Sequence, residues 1–508
     1  MTAPARLPDA PRDDLAAAQL GIEPVPPRHR VLGFLDFFVL WADFGVGLLV
    51  LLAGTLLVPG LGFWPAMAAI ALGTLAGVLL LGLAGVVGSD LAVPSMVGLR
   101  PSFGIRGSYL PSLVNVIQLV GFGAFEVIIM AQASARLAAP IVGPGSYPAW
   151  AVAWSAVVIL MGLGGPLVVV RQWLEKAGIW IVLATAAWMT IYVVTHFDLG
   201  AAVARPGDGS LTFAQAIDLV VVMPISWLPL VADYNRFARD TRSAFWGTVA
   251  GFAVANIGFY ALGVLLILVL PGGDLIGSIL SIAFGAAGLA LLLGDEADNA
   301  FADIYSAAIS VRNVRPGWST RWLVVGVGAI VLGIALAVDL TQYQNFLFLV
   351  GSLFTPLFGV LFADYFLLKR RVYATAELYP TSPGAARPMG INPVALIAWA
   401  AGIGSYLLVI NTAPWLGGTL PSLGASLVVY VALTKLRRSL ARRRGDSSSR
   451  SGRFAQPSRP STQAATEPHT SPAPASRSSI SVARSVRIPT PRAPAATAIR
   501  MSSSASPT

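Results

Sequence analysis

Twelve predominantly apolar runs, each about 20 residues or longer, follow one another along most of the chain. A helix of that length and composition crosses the hydrocarbon core of a bilayer. Only 11% of the 508 residues are charged, whereas an ordinary soluble domain carries about 25%. The sequence therefore predicts an all-α polytopic membrane protein and excludes a soluble enzyme. The predicted spans lie near 32–58, 63–88, 109–135, 148–170, 173–196, 214–236, 244–271, 288–311, 320–338, 343–368, 391–411 and 415–436.

The basic residues that flank these runs predict how the chain is threaded through the membrane. Of the 20 Lys and Arg that precede Lys435, 18 lie in the N-terminal segment and in alternate loops, and only Arg136 and Arg205 lie on the opposite side. Loops rich in Lys and Arg stay in the cytoplasm. We therefore expect a multi-pass protein of the cell membrane, inner or plasma, with both termini cytoplasmic.

Charge and composition divide the chain into three predicted segments. Residues 1–30 form a polar cytoplasmic N-terminal segment, 31–436 the transmembrane domain, and 437–508 a disordered basic tail rich in Ser, Pro, Ala and Arg. From Lys435 onward there are 14 Lys and Arg against two acids, so the formal net charge of +10 belongs to the tail. Such a tail fits the anionic inner leaflet. No motif or aromatic platform accompanies the charge, so no nucleic-acid partner is predicted.

The residue types needed for most cofactors are scarce. There are no cysteines and only three histidines, which excludes disulfides, thiolate zinc sites and iron–sulfur clusters, and no spacing of the histidines suits a metal. No phosphate-binding Walker loop is present, which argues against a pump driven by ATP. The sequence predicts neither an enzyme nor a bound cofactor.

Two of the predicted spans carry signals for an interrupted helix. Span 1 contains Asp43 beside Gly45 and Gly47, and span 6 contains Pro224 and Pro229. Glycine and proline interrupt a helix at mid-membrane and leave some of its backbone groups without helical hydrogen-bond partners. Broken helices at matching places in two halves point to the substrate site of an inverted-repeat transporter. We predict a five-plus-five inverted repeat with discontinuous helices 1 and 6, plus two accessory helices.

Polar residues inside the membrane are costly and usually mark a site. In span 3, Phe122 and Glu126 are four apart and share a helix face, a pairing suited to a flat hydrogen-bonding ligand, although core packing is an alternative for Phe122. In span 8, four carboxylates lie between residues 295 and 303, where they could bind a cation, carry a proton or contact a ligand.

At the cytoplasmic end of span 6, Asp233 and Arg236 are three residues apart and can form an ion pair. This pair predicts either a contact that holds a gate closed or a structural contact at the helix end.

Several motifs in a fixed order resemble the nucleobase:cation symporter family of cytosine, purine, uracil, thiamine-precursor and allantoin permeases. The resemblance extends from about Gly21 to Leu436 and is greatest to the cytosine/purine branch. The motifs are Leu40–Asp43, Arg100–Ser108, Gly121–Phe122 with Phe125–Glu126, Pro224–Leu230, Asp233–Phe237 and Asp298–Asp303.

The resemblance implies a substrate site between spans 1, 3, 6 and 8. A planar base would lie between aromatic residues of spans 3 and 6, which here are Phe122 and Trp227. Phe122 stands where the family usually has tryptophan. The polar residue that reads the base falls on Glu126, and the contacts from span 8 fall on Asn299 and Asp303.

The resemblance also implies a coupling ion. The family's sodium site lies between the break in span 1 and a Ser/Thr pair in span 8, and that pair matches Ala297 and Asp298. Asp298 could ligate Na⁺ or carry H⁺, and Asp43, beside the break, is a candidate for both the ion and the substrate.

We therefore predict a cation-coupled symporter that imports a nucleobase such as cytosine or a purine by alternating access. The alternatives are a permease for a related heterocycle, namely hydroxymethylpyrimidine or allantoin, and an amino-acid or amine symporter on the same fold. An amino-acid carrier would need a free helix end to hold the substrate's carboxylate.

Overall fold

The computed structural model describes residues 22–164, 179–270, 273–373, 378–379 and 390–451. Long helices dominate these ranges, and we number the membrane spans in chain order. They are span 1a (Phe34–Asp43), span 1b (Leu48–Thr55), span 2 (Phe63–Leu91), span 3 (Tyr109–Val142), span 4 (Tyr147–Gly164), span 5 (Ile179–His196), span 6a (Phe213–Ser226), span 6b (Val231–Asn235), span 7 (Thr241–Val269), span 8 (Gly285–Val314), span 9 (Thr320–Ala335), span 10 (Tyr343–Phe362), span 11 (Pro393–Thr412) and span 12 (Thr419–Ser451).

The helices account for all twelve predicted spans. Within the described ranges, eight helices are long and apolar enough to cross a membrane, and the bent pair 1a and 1b makes a ninth. Spans 5 and 9 are shorter, at 18 and 16 residues. Span 8 has 30 residues but carries the predicted cluster of carboxylates. Residues 165–178, predicted to end span 4 and begin span 5, lie outside the described residues.

Both predicted helix breaks are present. Spans 1a and 1b meet at an angle of 59°, and between them Gly47 has a φ of +134°, a conformation that favours glycine. Spans 6a and 6b are separated by a turn over 227–230, which follows Pro224 and contains Pro229. The missing amide of Pro229 helps to explain why the helical hydrogen bonding is interrupted there.

Small residues allow the central helices to approach closely. A Cβ atom on Gly77 of span 2 would lie 2.2 Å from Cγ of Pro224, so the side chain of Pro224 packs directly against the backbone of span 2. Spans 3 and 8 pack along each other, and span 7 packs against both halves of span 1. The central helices are thereby held around the two breaks.

Polar side chains cap several helix ends. Asp240 accepts a hydrogen bond from Ser243 N at 2.8 Å at the start of span 7, and that bond holds the pKa of Asp240 below its usual value. Buried Asp218 of span 6a accepts from Gly418 N and Thr419 N at the start of span 12. Span 12 continues to Ser451, and residues 452–508 of the predicted tail lie outside the described residues.

Candidate functional site

A small cavity lies where the two helix breaks meet spans 3, 8 and 10. Five residues predicted to bind substrate, on spans 3, 6 and 8, line it together. The lining residues are Phe44, Val46, Gly47, Leu49, Val50, Phe122, Glu126, Met223, Ser226, Trp227, Glu296, Asn299, Asp303 and Tyr343.

Aromatic rings from separate helices form two parts of the cavity wall. The Trp227 ring stacks on Phe44 with centroids 4.6 Å apart and planes 12° from parallel. The Phe122 ring meets Phe346 of span 10 edge to face at 4.8 Å. Among the described ring contacts, Phe122 and Trp227 do not touch each other. Each ring is thus fixed by a neighbour, and both remain part of the lining of one cavity.

Three carboxylates, those of Glu126, Glu296 and Asp303, line the same cavity, and none of the lining residues is basic. Glu126 is 4% exposed, and its Oε2 has no hydrogen-bond partner. An isolated carboxylate away from water is costly unless a donor or a proton satisfies it. The cavity is therefore suited to a ligand that presents an N–H donor to Glu126.

Span 8 holds the break in span 1 through two side chains one turn apart. Glu296 accepts from the first amides of span 1b, with Leu48 N at 2.5 Å from Oε2 and Leu49 N at 3.3 Å from Oε1. Asn299 Nδ2 donates to the freed carbonyl of Val46 at 3.2 Å. Helix ends leave such backbone groups without partners, and span 8 supplies them.

Span 3 holds the break in span 6 in a similar way. Gln118 Nε2 donates to the carbonyl of Ser226, the last residue of span 6a, at 2.6 Å. One face of span 3 therefore carries three groups at intervals of four residues: the amide of Gln118, the ring of Phe122 and the carboxyl group of Glu126. We call Gln118 and Glu296, the side chains that hold the two breaks, the clamps.

Three further acids form a second buried group outside the cavity lining. Asp43, Asp295 and Asp298 are 2%, 6% and 1% exposed, and the carboxyl groups of Asp43 and Asp295 lie side by side with Asp298 close to Asp43. Neither oxygen of Asp298 has a hydrogen-bond partner, and the carboxyl group of Asp43 has none besides the neighbouring carboxyl group of Asp295. Asp43 and Asp298 therefore stand apart from the predicted substrate contacts, as does the buried Ala297. In the described part of the chain, no three acid, His or Cys side chains are arranged to hold a metal.

The predicted gate pair lies at the end of span 6b. The Asp233 carboxylate accepts from Ser95 N at 3.0 Å, in the short helix Ser95–Gly98, and Arg236 Nε donates to the main-chain carbonyl of Asp233 at 3.1 Å. Arg236 Nη2 also reaches the hydroxyl of Tyr305 on span 8 at 3.5 Å. Span 6b is thus tied to two other elements, and the role of the pair as a gate stays a prediction.

Sequence reasoning did not assign four residues that shape the site. Phe44 lies inside the predicted break and could have been found there. Glu296 was included in the carboxylate cluster but was given no role. Nothing in the local pattern singled out Gln118 as a clamp or Tyr343 as part of the cavity wall, because their importance depends on partners from distant spans.

Comparison with known proteins gives a consistent result. A family model described as permease for cytosine/purines, uracil, thiamine, allantoin matches residues 24–430. The chain is 25% identical over 432 residues to a putative purine-cytosine permease of Bacillus subtilis (strain 168), covering 81% of this chain and 92% of the relative. It is 28% identical over 364 residues to the cytosine permease of Escherichia coli (strain K12), covering 69% and 79%.

The fold is also shared with a solved structure. Mhp1, a nucleobase-cation-symport-1 family transporter in a closed conformation with bromovinylhydantoin bound, aligns with a TM-score of 0.71 at 22% identity, covering 82% of this chain and 94% of Mhp1. The predicted twelve-helix, five-plus-five inverted-repeat fold is confirmed. Because the family model covers most of its length, the chain belongs to the family of membrane permeases for cytosine/purines, uracil, thiamine and allantoin.

Proposed function

We propose that this permease imports a nucleobase bearing an exocyclic amino group, such as cytosine, adenine or guanine, together with a proton. The observation that carries the proposal is the cavity itself, in which aromatic rings and three carboxylates converge without a basic residue. The names of the relatives, which include purine-cytosine and cytosine permeases, support the same class of substrate.

The chemistry of the cavity favours amino-bearing bases over uracil. Stacking on aromatic rings contributes about 1–3 kcal/mol per base and does not distinguish one base from another. The hydrogen-bonding edge of the base therefore determines the preference, since cytosine presents an amino donor where uracil presents a carbonyl. A carboxylate at Glu126 accepts from the first and repels the second.

An amino-acid substrate fits the cavity less well. In such a carrier the free end of a broken helix would hold the substrate's carboxylate. Here the amides of Leu48 and Leu49 already have the Glu296 carboxylate as their partner. This contact supports a substrate without an acidic group.

Uptake of radiolabelled cytosine and uracil by intact cells tests the assignment of Glu126. We expect the wild type to prefer cytosine, and Glu126→Gln to reduce that preference about tenfold, because an amide can also donate to the uracil carbonyl. Asp218→Asn is the matched control, since Asp218 is a buried acid that caps span 12 away from the cavity. An unchanged preference in Glu126→Gln would refute the assignment.

For the coupling ion, the second acid group supports a proton rather than sodium. The resemblance matches Ala297 and Asp298 to the family's Ser/Thr pair. The neighbouring titratable groups are Asp43 at the end of span 1a and Asp295 on span 8. Adjacent carboxyl groups without donors repel each other when all are ionised, so a shared proton relieves them. The proposed proton carrier is Asp298, with Asp43 beside it.

Proteoliposomes with imposed gradients test this coupling. We expect a pH gradient, acidic outside, to drive accumulation of cytosine by the wild type in sodium-free buffer. Asp298→Asn should abolish accumulation while cytosine exchange across the membrane continues, because asparagine cannot exchange a proton. Accumulation that follows a sodium gradient and ignores the pH gradient would overturn proton coupling.

A further inference from the structure

The start of span 1b lies on the cavity wall in the middle of the protein. A helix leaves its first amide groups without intrahelical partners, and these groups carry partial positive charge. A helix end of this kind ordinarily attracts an anionic group of a ligand. In this chain, both oxygens of the Glu296 side chain accept hydrogen bonds from it, through Leu48 N and Leu49 N.

The backbone around the break is shaped to admit this side chain. A Cβ atom on Gly47 would lie 2.6 Å from Glu296 Oε2 and 3.1 Å from Asn299 Nδ2, and the φ of +134° at Gly47 suits glycine alone. Gly47 and Glu296 both line the cavity, and Glu296 is only 1% exposed. Without the Glu296 carboxylate, two amide donors would face the ligand.

We propose that Glu296 is a specificity-determining residue that acts as an internal anion. It occupies the helix end that could otherwise bind an acidic group of a substrate, and so restricts the cavity to neutral or cationic heterocycles. Glu126 and Asp303 add to the negative potential of the same lining. The choice of a nucleobase as the heterocycle rests on the proposed function, whereas the occupation of the helix end does not.

A titration of purified protein with formate tests the occupied helix end directly. In Glu296→Ala, formate can supply two oxygens to Leu48 N and Leu49 N, so it should raise the midpoint of thermal unfolding by a few degrees. The wild type and Glu296→Gln should not respond, because their side chains still fill the site. Formamide, which has the same shape without the charge, and chloride at equal ionic strength are the controls. Equal responses to formate and formamide in Glu296→Ala would overturn the proposal.

Substrate discrimination provides a second measurement, which does not depend on the alanine variant folding. We expect the wild type to bind cytosine and to reject 5-carboxycytosine, and Glu296→Gln to narrow that difference about tenfold, because one repelling charge is removed. Unchanged discrimination in Glu296→Gln would also overturn the proposal.

The two measurements separate this inference from the proposed function. If the wild type binds no nucleobase but formate stabilises Glu296→Ala, the proposed function fails and the internal anion stands. If cytosine binds to the wild type but formate has no specific effect on Glu296→Ala, the internal anion fails and the proposed function stands.

Discussion

The two helix breaks are related by the inverted repeat, yet they are held by opposite chemistry. Spans 1 and 6 occupy equivalent positions in the two halves, as do spans 3 and 8. Span 8 holds the break in span 1 through Glu296, and span 3 holds the break in span 6 through Gln118. Each break is therefore clamped by the third helix of the other half.

The difference follows from which end of a half-helix each clamp meets. Glu296 meets the amino end of span 1b and accepts from its N–H groups, whereas Gln118 meets the carboxyl end of span 6a and donates to the carbonyl of Ser226. An amino end favours an anion and a carboxyl end favours a donor. Equivalent positions in the fold thus give the cavity a charged wall at one break and a neutral wall at the other.

Among the substitutions at the two breaks, a larger side chain at the break in span 1 should reduce transport most. Gly47→Ala places a Cβ against the Glu296 carboxylate, and alanine is strained at the φ of this position. The backbone strain alone costs about 1–3 kcal/mol, and moving the Glu296 side chain adds to that cost. We expect cytosine uptake in cells to fall roughly tenfold or more.

Gly294→Ala is the matched control for that measurement. Gly294 lies on span 8 two residues before Glu296, and a Cβ there would meet nothing within 4 Å. Uptake by Gly294→Ala should stay near that of the wild type, because alanine favours a helix. Equal losses in the two variants would mean that the geometry of the break has no special importance.

The breaks were predictable from the sequence because their signals are local. Glycines and prolines inside apolar runs mark where a helix cannot continue, and Phe122 and Glu126 share a face through their spacing alone. The clamps were not predictable in the same way, since Glu296 and Leu48 are separated by 248 residues. Four carboxylates lie close together along span 8. The resemblance predicts that Asp303 contacts the substrate, whereas only the packed structure shows that Glu296 faces the same cavity.

Changing Gln118, the clamp that holds the break in span 6, from a donor to an acceptor should have an intermediate effect on thermal stability, and this effect should depend on pH. Gln118→Glu sets a carboxylate against the Ser226 carbonyl, and the two acceptors repel each other unless the new group is protonated and donates through its O–H. We expect the protonated form to be the stable one, so the thermal unfolding midpoint should rise as pH falls. Gln118→Met, which loses the donor without adding charge, should cost about 1 kcal/mol at every pH. A constant difference between the two variants across pH would contradict this account.

Removing Asn299 should have the smallest effect on stability, since its single contact with the Val46 carbonyl is 3.2 Å long. Asn299→Ala should lower the free energy of unfolding by about 1 kcal/mol. Asn256→Ala is the matched control, because Asn256 is a buried amide that donates to Thr74 away from the cavity. Asn299 Oδ1 has no partner and the residue lines the cavity, so only Asn299→Ala should also weaken cytosine binding in a fluorescence titration. If both variants leave the dissociation constant unchanged, Asn299 acts on the break alone and the base is read by the carboxylates around it.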